Sequence, residues 1–235
     1  MQPTSNDVSF NLFGFPTTIQ PFFWLIAAIL AALHIGEIDK MQLWIAKMLL
    51  GMAGVLLSIL AHELGHAFAF RHVFRTESIV ILHGFGGATM PIQHYSRSYG
   101  FTGTMANCFL SFAGPLAGFV LAVLMFALLY FLPMGNGFAA SLLMFFLYWT
   151  MTISIIWGIF NLLPIYPMDG GHIFREIFLF FFPRQGVEFS LILSMLIAAL
   201  LAVVALRFGQ LFITFLFGYF AYQNYQELTL GSFRR

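Results

Sequence analysis

The sequence predicts an all-α polytopic membrane protein with about six transmembrane helices and a small membrane-associated β element. Two observations carry that reading. The 235 residues are 60% hydrophobic and only 8% charged, with a mean hydropathy of +0.90, whereas soluble domains carry about 25% charged residues. The apolar residues also fall into long runs, and a spanning helix needs about 20 of them. The same composition excludes a disordered chain. A net charge of +1 leaves no basic face for nucleic acid. The single cysteine, Cys108, permits neither an intramolecular disulfide nor a cysteine-based zinc cluster.

Taken in order, the chain opens without a basic residue before Lys40. A cleaved secretory signal needs a positive segment ahead of its apolar core, so none is expected. Residues 8–19 alternate mildly and end near Pro16, and 1–19 read as a short strand on the membrane surface. Pro21 suits the first position of a helix. Apolar runs then follow at 22–36, 42–72, 103–132, 138–163, 187–206 and 210–226, and the first is short, with Glu37, Asp39 and Lys40 marking its exit. Residues 78–83 (SIVILH) read as a strand. Residues 173–182 are too short to span and read as an interfacial helix. The links 133–137 and 207–210 are tight and imply antiparallel hairpins. The integral membrane domain is thus expected over 20–228, with 229–235 as a tail.

The positive-inside rule orients the bundle. With the N-terminus inside, Arg71, Arg75, Arg97, Arg175, Arg184, Arg234 and Arg235 fall inside, and only Lys40 and Arg207 fall outside. The second and fourth spans then both end on the cytoplasmic side.

A charged group inside the bilayer is a functional hypothesis by default, because it costs at least about 2.5–3.5 kcal/mol to insert. The second span ends in LAHELGHAFAF. His62 and His66 are four apart and project from one helix face. Two such imidazoles with Glu63 between them form the HExxH arrangement of two zinc ligands and a general base. The competing reading is a polar cluster that hydrogen-bonds neighbouring helices. A catalytic zinc usually has three protein ligands. Asp169, in NLLPIYPMDGGH (161–172), is the best third candidate. Pro164 and Pro167 must break the fourth helix, and Gly170 and Gly171 are expected to let the chain turn. Glu176 is the rival third ligand, disfavoured because Arg175 suggests a position at the membrane surface.

HELGH at 62–66 together with the downstream NxxPxxPMDGG resembles the site-2 protease family of intramembrane zinc metalloproteases. Met168 stands where the family's usual tripeptide has Leu. His83-Gly84-Phe85-Gly86-Gly87-Ala88 is similar to the family's Gly-rich segment, and Phe112-Ala113-Gly114-Pro115-Leu116-Ala117-Gly118 to its AGP-containing helix. The resemblance covers about residues 10–180. It implies a three-helix catalytic core over about 42–172, with one zinc ion on His62, His66 and Asp169 and Glu63 as catalytic base. It implies transmembrane segments of other proteins as substrates. No stretch is long and polar enough for an appended PDZ or CBS domain, so a minimal form is expected.

Zinc supplies Lewis acidity, and Glu63 would move a proton from the attacking water to the leaving amine. A transmembrane helix must unwind before attack, and the extended segment then needs backbone partners. The resemblance implies a membrane-dipping hairpin after strand 78–83, and strand addition there would involve Gly86, Gly87 and Asn161. Gly114 and Gly118 read as helix packing, Pro115 as a kink and Asn107 as a core hydrogen-bonding residue. His172 reads either as a neighbour of the zinc or as a helix cap. His34, His72, His83 and His94 read as interfacial or loop histidines. The last two spans carry almost no polar side chains and are expected to gate or brace the core. The bilayer is the expected environment, with a homo-oligomer or a regulatory membrane partner also open. The alternative function is a catalytically inactive metal-binding membrane regulator or a transporter; the intact Glu63 argues against lost catalysis.

Overall fold

The computed structural model describes residues 6–35, 41–84, 86–92, 101–133, 135 and 137–230. Glu37, Asp39, Lys40, Phe85, His94, Arg97, Arg234 and Arg235, which figure in the sequence reading, lie outside them, as does the side chain of His34. Contacts divide the chain into two compact units, one of Met1–Tyr95 with Ala113–Ile159 and one of Ser96–Phe112 with Phe160–Arg235.

The first unit opens with a hairpin of β1 (Val8–Leu12) and β2 (Phe15–Ile19). Leu12 pairs with Phe15, so the link is the two residues Phe13 and Gly14, both at positive φ (52° and 86°). Such two-residue turns match the twist of the strands they join. The expected single strand is therefore two strands, and Pro16 lies inside the second rather than at the turn. Strand β2 pairs in parallel with β3 (Ser78–His83), which pairs antiparallel with β4 (Gly86–Pro91). The sheet order is β1-β2-β3-β4. Strand β3 has the bounds its sequence suggested.

Alternate residues Phe15 and Ile19 of β2 and Val80 and Leu82 of β3 are buried, as a two-residue period requires. They form one core with Phe23 and Ala27 of α1 (Pro21–Ile35), Val55, Ile59 and Ala67 of α2 (Met41–Val73), and Trp149 and Ile153 of α4 (Phe138–Asn161). Between α2 and α4 runs a polar seam. Trp149 Nε1 donates to Gly51 O at 3.1 Å, Ser154 Oγ to Ser58 Oγ at 2.9 Å, and Ser58 Oγ reaches Gly54 O at 2.8 Å. Small residues and short polar bonds of this kind hold helices together where lipid removes the hydrophobic drive. Arg71, near the end of α2, donates to Phe13 O at 2.8 Å, pairs with Glu77 at 3.0 Å and stacks over the Phe15 ring at 3.7 Å. It fastens the β1–β2 hairpin to the helix.

The helix α3 (Phe101–Phe131) contributes its first part to the second unit and the rest to the first. The second unit also holds α5 (Asp169–Phe181), α6 (Gly186–Arg207) and α7 (Leu211–Leu230). The α6–α7 hairpin buries Ala198 and Phe217 against Ile165 and Met168 of the turn before α5.

Among the described residues, four helices are long and apolar enough to cross a membrane: α2, α3 from Gly103, α4 and α6. The chain is an integral membrane protein on that basis, but two of the six expected spans fall short of the criterion. At 15 residues, α1 is about 22 Å long against an apolar layer of about 30 Å. The second half of α7 carries Gln223, Asn224, Gln226 and Glu227, which dilute its apolar character.

Candidate metal centre

The first unit holds His62, Glu63 and His66 in the last third of α2, where the helix is apolar on both sides of the motif. Four residues advance a helix by little more than one turn, so the two imidazoles share a face. Their Nε2 atoms are 3.3 Å apart and the rings meet edge to face at 80°. Two nitrogens each about 2.0–2.1 Å from one tetrahedral zinc stand about 3.3–3.4 Å apart, so the pair fits a single ion. His62 is 3% exposed and Glu63 is 4% exposed.

What faces the pair is Gly114 of α3. A Cβ added there would collide with Nε2 of His66 and stand 2.8 Å from Nε2 of His62. The space in front of both nitrogens exists because residue 114 has no side chain. The close approach of α3 to α2 comes from Gly65, whose own missing Cβ makes room for Ala113 O and Ala117. The sequence reading of Gly114 as helix packing is thus refined: Gly65 packs the helices, and Gly114 clears the imidazoles. The helix α3 continues through Pro115.

Strand β4 covers the Glu63 carboxylate. Thr89 Oγ1 donates to Glu63 Oε2 at 2.7 Å and lies 3.0 Å from Glu63 O. Two residues earlier on the same strand face, the Cα of Gly87 lies so close that a Cβ would overlap the carboxylate. Gly86 has φ +125°, and Trp157 occupies the place of its side chain. Gly86 and Gly87 therefore sit beside Glu63, and β4 is an edge strand in the sheet order. Thr89 was not singled out by the sequence. Its partner is 26 residues away, and no spacing rule links them. His83 is half-buried at the end of β3, opposite Gly86. Burial pushes its pKa below the ordinary 6.5, while the Glu63 carboxylate pulls it partly back.

The second unit holds Asp169, Asn161 and Glu176. Asn161 is the last residue of α4 and half-buried. The chain then turns through residues 162–168, where Ile165 N–H bonds Leu163 O and Met168 N–H bonds Ile165 O. Asp169 is the first residue of α5, where a carboxylate is favoured by the helix dipole. Gly170 and Gly171 do not turn the chain, since neither has a positive φ. They lie against the backbone of Leu162, Leu163, Ile165 and Tyr166, with no room for a Cβ. The pair therefore lets α5 dock on the turn before it.

That turn is held from outside itself. Tyr166 N–H donates to Ser194 Oγ at 3.1 Å, and Tyr166 O accepts from Asn224 Nδ2 at 2.7 Å. The Arg175 guanidinium stacks on the Tyr166 ring at 4.0 Å, and the His172 ring meets it edge on at 5.1 Å. Ser194 and Asn224 lie in spans that the sequence reads as carrying almost no polar side chains, and no spacing rule links either to Tyr166. Glu176 is packed inside the protein rather than on its surface. It is 5% exposed and accepts from Asn107 Nδ2 at 3.0 Å, because it lies two turns beyond Asp169 on the packed face of α5 while Arg175 takes the neighbouring direction. Asn107 is the core hydrogen-bonding residue expected.

Residues 134–205 match the model of Peptidase family M50. A zinc metalloprotease of Methanocaldococcus jannaschii is 27% identical over 208 residues, covering 86% of this chain and 53% of the relative. A Mycobacterium tuberculosis protein named as a zinc metalloprotease, Rip3, is 31% identical over 158 residues, covering 66% of this chain and 37% of its own. The chain thus spans about half or less of the length of these curated relatives. The solved Site-2 Protease from Methanocaldococcus jannaschii superposes with a TM-score of 0.58 at 20% identity, over 94% of this chain and 95% of that one; at that identity the likeness concerns the fold. The chain is thus similar to Peptidase family M50 over residues 134–205 and to curated zinc metalloproteases over most of its length, and it shares the fold of a site-2 protease.

Proposed function

We propose that the chain is a zinc-dependent intramembrane endopeptidase that hydrolyses peptide bonds in or near transmembrane segments of other membrane proteins. The observation that carries this reading is the His62–His66 pair, with Nε2 atoms 3.3 Å apart on a membrane-length helix beside a buried glutamate. Asp169 is the third ligand in this reading, supported by the motif resemblance and by the turn and glycine pair that hold it at the head of α5. Bound zinc would supply Lewis acidity toward water and toward the scissile carbonyl. Glu63 takes the proton of the attacking water as the C–O bond forms and delivers it to the leaving amine as the C–N bond breaks. The Thr89 hydroxyl orients that carboxylate. An unwound substrate adds as a strand along β4, with Gly86, Gly87 and Asn161 as its binding residues in this reading. The N-terminus and the opening of the site face the cytoplasm, on the arginine distribution.

The test is cleavage of a set of single-span transmembrane peptides co-reconstituted with the full chain in liposomes. General-base removal costs about 10²–10⁴-fold. Glu63→Gln should therefore abolish detectable cleavage while zinc stays bound. Equal cleavage by wild type and Glu63→Gln would contradict the assignment of the base.

A further inference from the structure

The α6–α7 hairpin lies outside the three helices to which the family resemblance assigns the chemistry. It nevertheless buries polar side chains, among them Ser194 at 1% and Asn224 at 0% exposure. A buried amide is costly unless its hydrogen bonds are made. Asn224 Nδ2 makes two, one to Phe220 O of its own helix and one to Tyr166 O, 58 residues back, both at 2.7 Å. Its Oδ1 is buried without a partner among the described residues. A leucine would avoid that cost, so the retained function of the amide is its donors. Ser194 Oγ accepts from Tyr166 N–H and donates to Ser190 O at 2.8 Å. Both backbone polar groups of Tyr166 are therefore taken by side chains, one from each helix of the hairpin.

The reason lies in the turn. Pro164 and Pro167 have no N–H, and the turn's own bonds use Leu163 O, Ile165 N and O, and Met168 N. Tyr166 N–H and C=O are left for outside partners. Asp169 follows three residues later, and His172 N–H bonds Met168 O across the start of α5. The place of the Asp169 carboxylate is thus set through Tyr166.

We infer that Ser194 and Asn224 are positioning residues for Asp169, so that metal affinity at the site depends on the α6–α7 hairpin. This rests on the reading that Asp169 is a metal ligand. The experiment is zinc affinity of the full detergent-solubilised chain by competition with a chelator, with the thermal unfolding midpoint alongside, for Asn224→Leu, Ser194→Ala, Asp169→Ala and the double variant Asn224→Leu/Asp169→Ala. Removing a group that orients a ligand typically costs about 10–100-fold in metal affinity. Asn224→Leu should lose about that much, and Ser194→Ala should shift the same way by less. The loss should vanish in the Asp169→Ala background, as coupled residues require. A folded Asn224→Leu with wild-type affinity overturns the inference, as does an undiminished loss when Asp169 is already absent. Should Asn224→Leu fail to fold, Ser194→Ala carries the same comparison with Asp169→Ala. Wild-type affinity in Asp169→Ala alone would instead overturn the ligand reading beneath it.

Discussion

Thr89 donates a 2.7 Å hydrogen bond to the Glu63 carboxylate, joining the edge strand β4 to the buried acid of α2. A hydrogen bond to a charged group is worth about 1.5–3 kcal/mol, and about 1.4 kcal/mol is tenfold in rate. Thr89→Val keeps the shape and the strand preference but removes the donor. It should lower kcat for transmembrane-peptide cleavage about 10–100-fold with little change in KM or zinc content, and Thr89→Ser should restore most of it. A Thr89→Val protein with wild-type kcat would show that the bond does not orient the base.

Gly114 leaves the space in front of both imidazoles. Gly114→Ala puts a methyl group against Nε2 of His66 and His62, on rigid backbone of α3. Overpacking of this kind costs about 1–3 kcal/mol in stability, so the variant should fold. Its zinc content should drop severely, as measured by metal analysis of the purified chain. Full zinc occupancy in a folded Gly114→Ala would mean that the two nitrogens do not face the metal.

Burial lowers the His83 pKa below 6.5, and the sign of the effect follows. Above pH 6.5 the imidazole is neutral both folded and unfolded, and it contributes nothing. As pH falls through 6.5 the unfolded chain takes the proton first. Folding stability is lost until the pH drops below the folded-state pKa. His83→Gln should therefore lose less of its thermal midpoint than wild type between about pH 7.5 and pH 5.5. An identical loss in both would show that His83 is not the titrating group.

Arg71 makes three contacts of unequal worth. Its pair with Glu77 is a surface one, with the side chains 28% and 58% exposed, and such pairs contribute about 0–1 kcal/mol. The stacking on Phe15 and the bond to Phe13 O are what hold the hairpin. Arg71→Ala should accelerate limited proteolysis within residues 6–19, and Glu77→Gln should leave it nearly unchanged. The reverse order would assign the docking to the ion pair.

Much of this was legible in the sequence because it rests on local periodicity. The spacing of His62 and His66 fixes a shared helix face, and the short run Ile79-Val80-Ile81-Leu82, largely β-branched, marks β3 within its observed bounds. Pro164 and Pro167 foretold a break after the expected run 138–163, and α4 ends two residues earlier, at Asn161. Long-range pairings were not legible. Thr89 meets Glu63 across 26 residues, and Asn224 meets Tyr166 across 58; neither relation leaves a period. Pro16 drew the turn to itself, although the positive φ values belong to Phe13 and Gly14. The glycine pair 170–171 was read for flexibility when its use is close packing. The charge of Arg175 says nothing of Glu176, because successive residues on a helix point in different directions.

The central claim is that His62, His66 and Asp169 hold one zinc ion. It is tested most directly by zinc analysis of the purified, detergent-solubilised chain beside Asp169→Ala. The account expects about one zinc per wild-type chain, as a single catalytic site requires, and a greatly reduced content in the variant. A folded wild-type chain without zinc, or a variant that keeps its zinc, would contradict it.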